Sequence, residues 1–400
     1  MKIRPLTLAF LLFTFALDVR ADRLFTSGFE ENNLTQTMWS SSSASPTFVT
    51  TQVHSGTYAL EIDATQEFVR RTLASSVTSG TYFVRFYLRV GTLPGTQAAE
   101  CFATRNSSLT AAQRVTISTS GVLTLLNDVA STSATGSTLS TGQWYRMEVR
   151  ILVSDTVGEV ELLVDGVSVA SLTGQDTLNA NLDNFVFGVL NTGSTARVFQ
   201  YDDIAINDAN GTFQASWPGA GKIAMVKPAS DDTVTWTKTG ANCSATTNAD
   251  CVDDEPGTPD DLNGYNSTST VQTDRLNTTG LPSEVPSDAD IILVDVYARI
   301  GGSSTTGTNT ARVTLWDEGG SKSTGPTGAL CDVNGWTFMT TAQHLVFDAG
   351  SRTKANMDSF DYGYEPVSLN QTCRATALWA NVEWRNAPAS ARVRRPIIQW

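Results

Sequence analysis

The chain is poor in the residues that most enzymatic sites are built from. Its 400 residues include 2 histidines and 5 cysteines. A Ser–His–Asp site needs a histidine as its base, yet neither His54 nor His344 stands near a Gly-x-Ser-x-Gly elbow. His54 opens a turn before a strand and His344 sits within a strand pattern, so both read as structural. No Cys-x-x-Cys spacing points to zinc or a redox centre, and there is no phosphate loop, dinucleotide fingerprint or metalloprotease helix. Basic residues are also scarce: 27 Lys and Arg against 40 Asp and Glu give a net charge of −13, with no lysine between Asp22 and Asp208. That balance excludes a nucleic-acid partner, whose phosphates demand basic patches. Past the first residues no segment is long and apolar enough for a membrane helix, and helical periodicity is almost absent.

What is present begins with an export signal. Lys2 and Arg4 precede the apolar run Leu6 to Leu17, and Val19-Arg20-Ala21 supplies small residues for cleavage after Ala21. The chain is therefore expected to be secreted, and its polar, lysine-free surface is of a kind common on exported and particle-surface proteins. In an exported chain an even subset of cysteines should pair. Cys243 and Cys251 bracket a short polar loop and are expected to bridge, with Cys331 to Cys373 as the second bridge. Four cysteines still allow three connectivities. Cys101, alone in the first half, reads as a small buried hydrophobe.

Short alternating runs between Gly, Ser, Thr, Asn and Asp clusters mark β-sandwiches. Thr57–Asp63, Thr81–Val90, Gln113–Thr119 and Trp144–Leu152 are such runs, and Asp165-Gly166 joins Glu159–Val164 to Val167–Leu172 as a hairpin turn. In the second half, strands are expected at Thr268–Leu276, Asp290–Ile300, Ala311–Trp316, Thr337–Phe347 and Cys373–Trp384. The expected fold class is all-β: two β-sandwich, jelly-roll-like domains in tandem after an N-terminal signal peptide. The boundaries are 1–21 for the signal, 22–210 and 211–386 for the sandwiches, and 387–400 for a tail.

The first half resembles the concanavalin A-like, laminin-G-like jelly rolls. The resemblance rests on "SGFE" (Ser27–Glu30), "HSGTYALEI" (His54–Ile62), "GQWYRMEVRI", "VELLVDGVSV" and the closing "YDDIAI" (Tyr201–Ile206), in that order. The second half resembles a β-domain that follows such jelly rolls in tailed-phage structural proteins and environmental sequences. The resemblance also speaks to the run Val198–Asp208, which alternates as a strand yet carries Asp202 and Asp203 side by side. One of these must stand in line with apolar neighbours, where a carboxylate has to be paired, hydrogen-bonded, protonated or bound to a cation. In related carbohydrate-binding modules such residues hold a structural calcium, which implies Ca2+ ligands at Glu30, Asp202 and Asp203. The alternative leaves both aspartates solvated or hydrogen-bonded at a strand entry.

Glucanases of this fold resemble one another in a Glu-x-Asp-x-x-Glu run, and retaining hydrolysis needs two carboxyl groups about 5 Å apart. Here "EIDATQ" places Glu61 and Asp63 on one face but Gln66 where the acid belongs, with Glu67 off the spacing. Glu159 and Glu161 end on Val164. No catalytic residues are assigned. Among the aromatics, Trp144 reads as core, Trp39 as a ligand platform or a lid over the core edge, and one of Trp379 and Trp384 as exposed or at an interface. The acidic loop of Asp250, Asp253, Asp254, Glu255, Asp260 and Asp261 lacks the glycine and spacing of a helix-loop-helix calcium loop and reads as solvated.

The expected function is non-catalytic recognition of a polysaccharide or cell-surface glycan. A phage virion or particle structural protein, assembling as a homo-oligomer or particle, is the alternative. A glucanase-like glycoside hydrolase is the second alternative.

Overall fold

The computed structural model describes residues 23–387 apart from 35–38, 40, 43–45, 191–195, 211–213, 242, 244–246, 262, 303–308, 326–328, 331–342 and 370–371. The expected signal, Cys331 and nearly all of the tail lie outside the described residues. Regular structure in the rest is almost entirely antiparallel strand, as the short alternating runs require.

Strands between Arg23 and Asp208 build two facing sheets. The larger has 8 strands and runs Val167–Gln175, Gly158–Val164, Trp144–Val153, Gly80–Thr92, Val198–Asp208, Ala59–Ile62 and Thr47–Val49, with Arg23–Ser27 also paired to Val198–Asp208. The smaller has 7 strands, ordered Thr132–Thr138, Val122–Asn127, Ala111–Ile117, Ala99–Arg105, Leu182–Gly188, Phe68–Val77 and Ser41–Ser42. The expected meander is present: Trp144–Val153 pairs with Gly158–Val164, which turns back into Val167–Gln175. Asp165 and Gly166 both have positive φ, 52° and 84°, the twist that a two-residue hairpin turn needs. Alternate residues of both sheets meet in one core, including Leu60, Val84, Phe86, Phe102, Val149 and Phe187. In Trp144–Val153 the core takes Tyr145, Met147, Val149 and Ile151. Trp144, expected in the core, therefore points to the outer face, where it is half-buried.

A second pair of sheets, each of 6 strands, spans Lys222 to Arg385. The run expected as one strand, Thr268–Leu276, is instead two, Tyr265–Thr268 and Asp274–Thr278, which belong to opposite sheets. The Ser/Thr stretch between them folds on itself, with the Thr270 amide donating to Thr268 Oγ1 at 3.1 Å. Of Thr337–Phe347 only the part from Gln343 is described, on the strand Gln343–Thr353.

The second sandwich docks on the outer face of the larger sheet. Glu383 receives the guanidinium groups of both Arg23 and Arg85, and all three side chains are fully buried. Burial pushes the Glu383 carboxyl up, but the two guanidinium groups outweigh it and hold it below the usual carboxylate range. Gly221 lets this contact form, since a Cβ there would meet Arg85 Nη1 at 2.3 Å and Glu383 Oε1 at 2.4 Å. The Gly219 amide donates to Glu148 at 2.8 Å, and Trp217 meets Phe83 edge-on at 5.4 Å. Among the described residues the outer face of the smaller sheet carries none of these contacts.

Candidate functional site

Two places in the molecule gather chemistry. The first is the seam between the sandwiches, where the adjacent aspartates sit. Strict alternation would leave one of them facing the core. The strand avoids this with a bulge: Asp202 lies opposite Tyr87 and Ala205 opposite Arg85, so one extra residue is inserted. Asp203 takes a left-handed φ of 47° to make it. Phe199 and Tyr201 before the bulge, and Ile204 and Ile206 after it, all reach the core. The bulge also marks where the neighbouring strand changes from Ala59–Ile62 to Arg23–Ser27, and the loop that leads into Ala59–Ile62 closes over the carboxylates.

Both aspartates are fully buried. Asp202 accepts the amides of His54 at 2.8 Å, Ser55 at 3.2 Å and Asp203 at 2.8 Å. Asp203 contacts His54 Nδ1 at 2.5 Å and accepts from Ser55 Oγ at 2.7 Å and from the Ile223 amide of the second sandwich at 2.6 Å. The His54 ring lies flat on Tyr87, centroids 3.6 Å apart, consistent with the structural role expected for it. Glu30 accepts the amides of Thr57 at 2.9 Å and Tyr58 at 3.2 Å. Gly56 makes room for this, since a Cβ there would sit 2.1 Å from Glu30 Oε1.

Burial pushes the Glu30 carboxyl up to about 8 against the pull of those amides, with smaller contributions from the charges of Glu31 and then Asp203. Asp202 is raised well above its ordinary value by burial first, then by the charges of Asp203 and Glu30. In charge alone this donor set suits a hard cation. The arrangement does not: the oxygens are turned to protein donors, and among the described residues no group of three or more His, Cys, Asp or Glu side chains is placed to hold a metal ion. Glu30, Asp202 and Asp203, the expected calcium ligands, thus lie together at the seam, Glu30 just after Arg23–Ser27 and the two aspartates on Val198–Asp208, with their oxygens engaged by protein donors. Hydrogen bonds from the His54, Ser55, Asp203, Thr57 and Tyr58 amides and from Ser55 Oγ answer the burial.

Trp39, expected as a platform or a lid, is the lid. It is 7% exposed, stacked on Phe29 at 5.4 Å and edge-on to Phe25 at 4.7 Å and Phe187 at 5.9 Å. A ring enclosed by three others offers no face to a ligand. Trp379 lies at the seam, stacked on Tyr297 at 5.4 Å, while Trp384 joins the second core. Cys243 and Cys251 are bridged. Cys373 is disulfide-bonded, while Cys331, its expected partner, falls outside the described residues. Cys101 is free and buried. The carboxylates considered for hydrolysis are committed elsewhere: Glu61 accepts from Gln200 at 2.6 Å, Glu67 from the Asp63 and Ala64 amides at 2.7 and 2.8 Å, and Glu159 and Glu161 both face Arg150.

The second place is an open cleft of about 370 Å³ on the outer face of the smaller sheet. Ala103 stands opposite Val186 and Arg114, and this pair of registers sets the outward row. Ala103, Val186 and Phe68, with Leu190 against them, form a small apolar cluster separate from the main core. Arg105 lies two residues along on the same face. A bulge between Glu100 and Phe102 brings Glu100 outward as well, opposite Thr116. Arg105 holds both oxygens of the buried Glu100 at 2.8 Å and donates to the Leu109 carbonyl at 2.9 Å. Arg114 forks onto Asp128 at 2.5 and 2.6 Å. Thr110, Ala111 and Leu190 complete the lining. The size lies within the range of small-molecule sites. Nothing in the sequence analysis singled this cleft out. The available signal was a pair of opposite charges, Glu100 and Arg105, inside the otherwise apolar run "AECFATR".

No protein-family model matches the chain, and neither does any curated protein. Among solved structures the chain is similar to a cellulose-induced protein, Cip1, with 16% identity over 49% of this chain and 99% of that one, at a TM-score of 0.37. It is also similar to the receptor-binding domain of botulinum neurotoxin D, with 12% identity over 40% of this chain and 42% of that one, at 0.29. A Trypanosoma rangeli sialidase matches with 11% identity over 40% of this chain and 26% of the enzyme, at 0.31. At such identities the likeness concerns the β-sandwich fold alone.

Proposed function

We propose that the protein is an exported, non-catalytic recognition protein whose first sandwich binds a polysaccharide or surface glycan in the cleft walled by Glu100, Arg105, Arg114 and Asp128. The observation that carries this reading is where the cleft lies. The second sandwich occupies the outer face of the larger sheet through Arg23, Arg85 and Glu148, so the smaller sheet presents the first sandwich's remaining broad face. On that face lies an open, hydrogen-bonding hollow of about 370 Å³. Sugars are bound by fixed donors and acceptors set beside modest apolar surface, and paired guanidinium and carboxylate groups are held in place before a ligand arrives.

The non-catalytic part of the reading is supported by how the cleft carboxylates are used, since each is held by its own arginine. The second sandwich serves as a rigid platform. Export is inferred from Lys2, Arg4 and the apolar run that follows.

Affinity electrophoresis of the chain from Asp22 onward, through gels carrying a panel of polysaccharides, tests the reading. At least one polymer retards the wild type, and Arg114→Ala migrates freely in the same gel. Unretarded wild-type migration in every gel, or equal retardation of Arg114→Ala, refutes the assignment of the cleft.

A further inference from the structure

We infer that the cleft selects neutral, hydroxyl-rich glycans over acidic ones; this deepens the reading of the cleft as a glycan site and rests on it. Every guanidinium in the wall already faces a carboxylate. Arg105 is matched by Glu100 and Arg114 by Asp128. The carboxylate of an acidic sugar brings only acceptors and a negative charge. To reach the guanidinium groups it would have to displace one of those carboxylates or lie beside both, and like charges at such range repel. A sugar hydroxyl, in contrast, donates and accepts in one group. The cleft offers both functions within one wall. Asp128 is 27% exposed in its side chain and keeps lone pairs beyond the two that Arg114 uses, while Arg114, at 24%, keeps its third nitrogen free of Asp128.

The wider field points the same way. The chain carries a net charge of −13, and a surface of that sign disfavours approach of polyanions at low ionic strength. Among the described residues no aromatic ring lines the cleft, so recognition rests on hydrogen bonds, whose geometry distinguishes hydroxyl patterns, more than on ring stacking.

Affinity electrophoresis through matched neutral and carboxylated polymers, such as galactomannan and xylan against alginate and polygalacturonate, tests this. The runs are made at low salt and at about 0.5 M NaCl, where the Debye length falls to roughly 4 Å. Neutral polymers are expected to retard the chain, with less than about a two-fold change in affinity between the two salts. Asp128→Asn, with its fold checked by circular dichroism, is expected to weaken neutral binding about five-fold or more through loss of a charged acceptor. Retardation by the carboxylated polymers alone, lost at high salt and strengthened by Asp128→Asn, overturns the inference while leaving the cleft a glycan site. Absence of retardation by any polymer, neutral or acidic, overturns the glycan reading itself and this inference with it.

Discussion

Replacing Glu30 with glutamine tests how the seam tolerates its buried carboxylates. Glu30 titrates at about 8 in the folded chain against an ordinary 4.5. Because the folded state binds the proton more tightly, stability is highest below the ordinary value and falls as pH rises towards 8. At about 1.36 kcal/mol per unit, the difference amounts to about 4 kcal/mol by pH 8, and relaxation of the site reduces this to between about 2 and 4 kcal/mol. Glutamine keeps one carbonyl oxygen for the Thr57 and Tyr58 amides and removes the charge. The variant should therefore gain about 2 to 4 kcal/mol relative to wild type on going from about pH 5 to about pH 8, whatever its fixed cost at low pH. Urea unfolding at the two pH values, in the presence of a chelator, measures this directly. An equal effect at both pH values refutes protonation of Glu30. So does wild type that is stabilised by calcium at pH 8 in the absence of chelator while Glu30→Gln is not. In that case a cation, rather than a proton, neutralises the carboxylates.

Glu383→Gln leaves Arg23 and Arg85 buried without their shared counter-charge. A loss of about 3 to 5 kcal/mol is expected, read as separate melting of the two sandwiches by calorimetry; an unchanged single transition contradicts the lock. Trp39→Ala opens a void between Phe25, Phe29 and Phe187. It should cost about 3 to 5 kcal/mol in urea unfolding while leaving polysaccharide affinity unchanged; a selective loss of affinity would restore Trp39 as a ligand platform. Replacing Cys243 and Cys251 with alanine opens a short loop and should cost about 2 to 3 kcal/mol, measured by thermal melting.

The strands were legible wherever alternation was clean. Trp144–Val153, Gly158–Val164 and Val167–Gln175 lie within a few residues of where the sequence puts them, because the hairpin turn at Asp165-Gly166 fixes register locally. What alternation conceals is a bulge. At Asp202-Asp203 the pattern predicts a carboxylate in line with core residues, and the inserted residue removes that conflict. No local feature of "YDDIAI" announces the insertion, because it is set by two different partner strands meeting there. Thr268–Leu276 was misread for a related reason, since a run of Ser and Thr is compatible with a strand and with the crossing between sheets that it makes. Trp39 sits in a Ser-rich stretch, and only the rings packed around it, Phe25 and Phe29 from the first strand and its turn and Phe187 from the other sheet, identify it as core. The cleft was hidden because its walls come from pairs that fold together across Ala99–Arg105, Ala111–Ile117 and the turn at Asp128, while the sequence drew attention to Cys101 between them.

The account turns on which face of the first sandwich meets a glycan. Amide hydrogen exchange of the chain, with and without oligosaccharides prepared from a polymer that retards it, reads that face directly. Protection is expected along Ala99–Arg105 and Ala111–Ile117 and at Asp128, with the seam strands Arg23–Ser27 and Val198–Asp208 unchanged. Protection confined to the second sandwich or to the loops at the seam would contradict the placement of the site in the cleft.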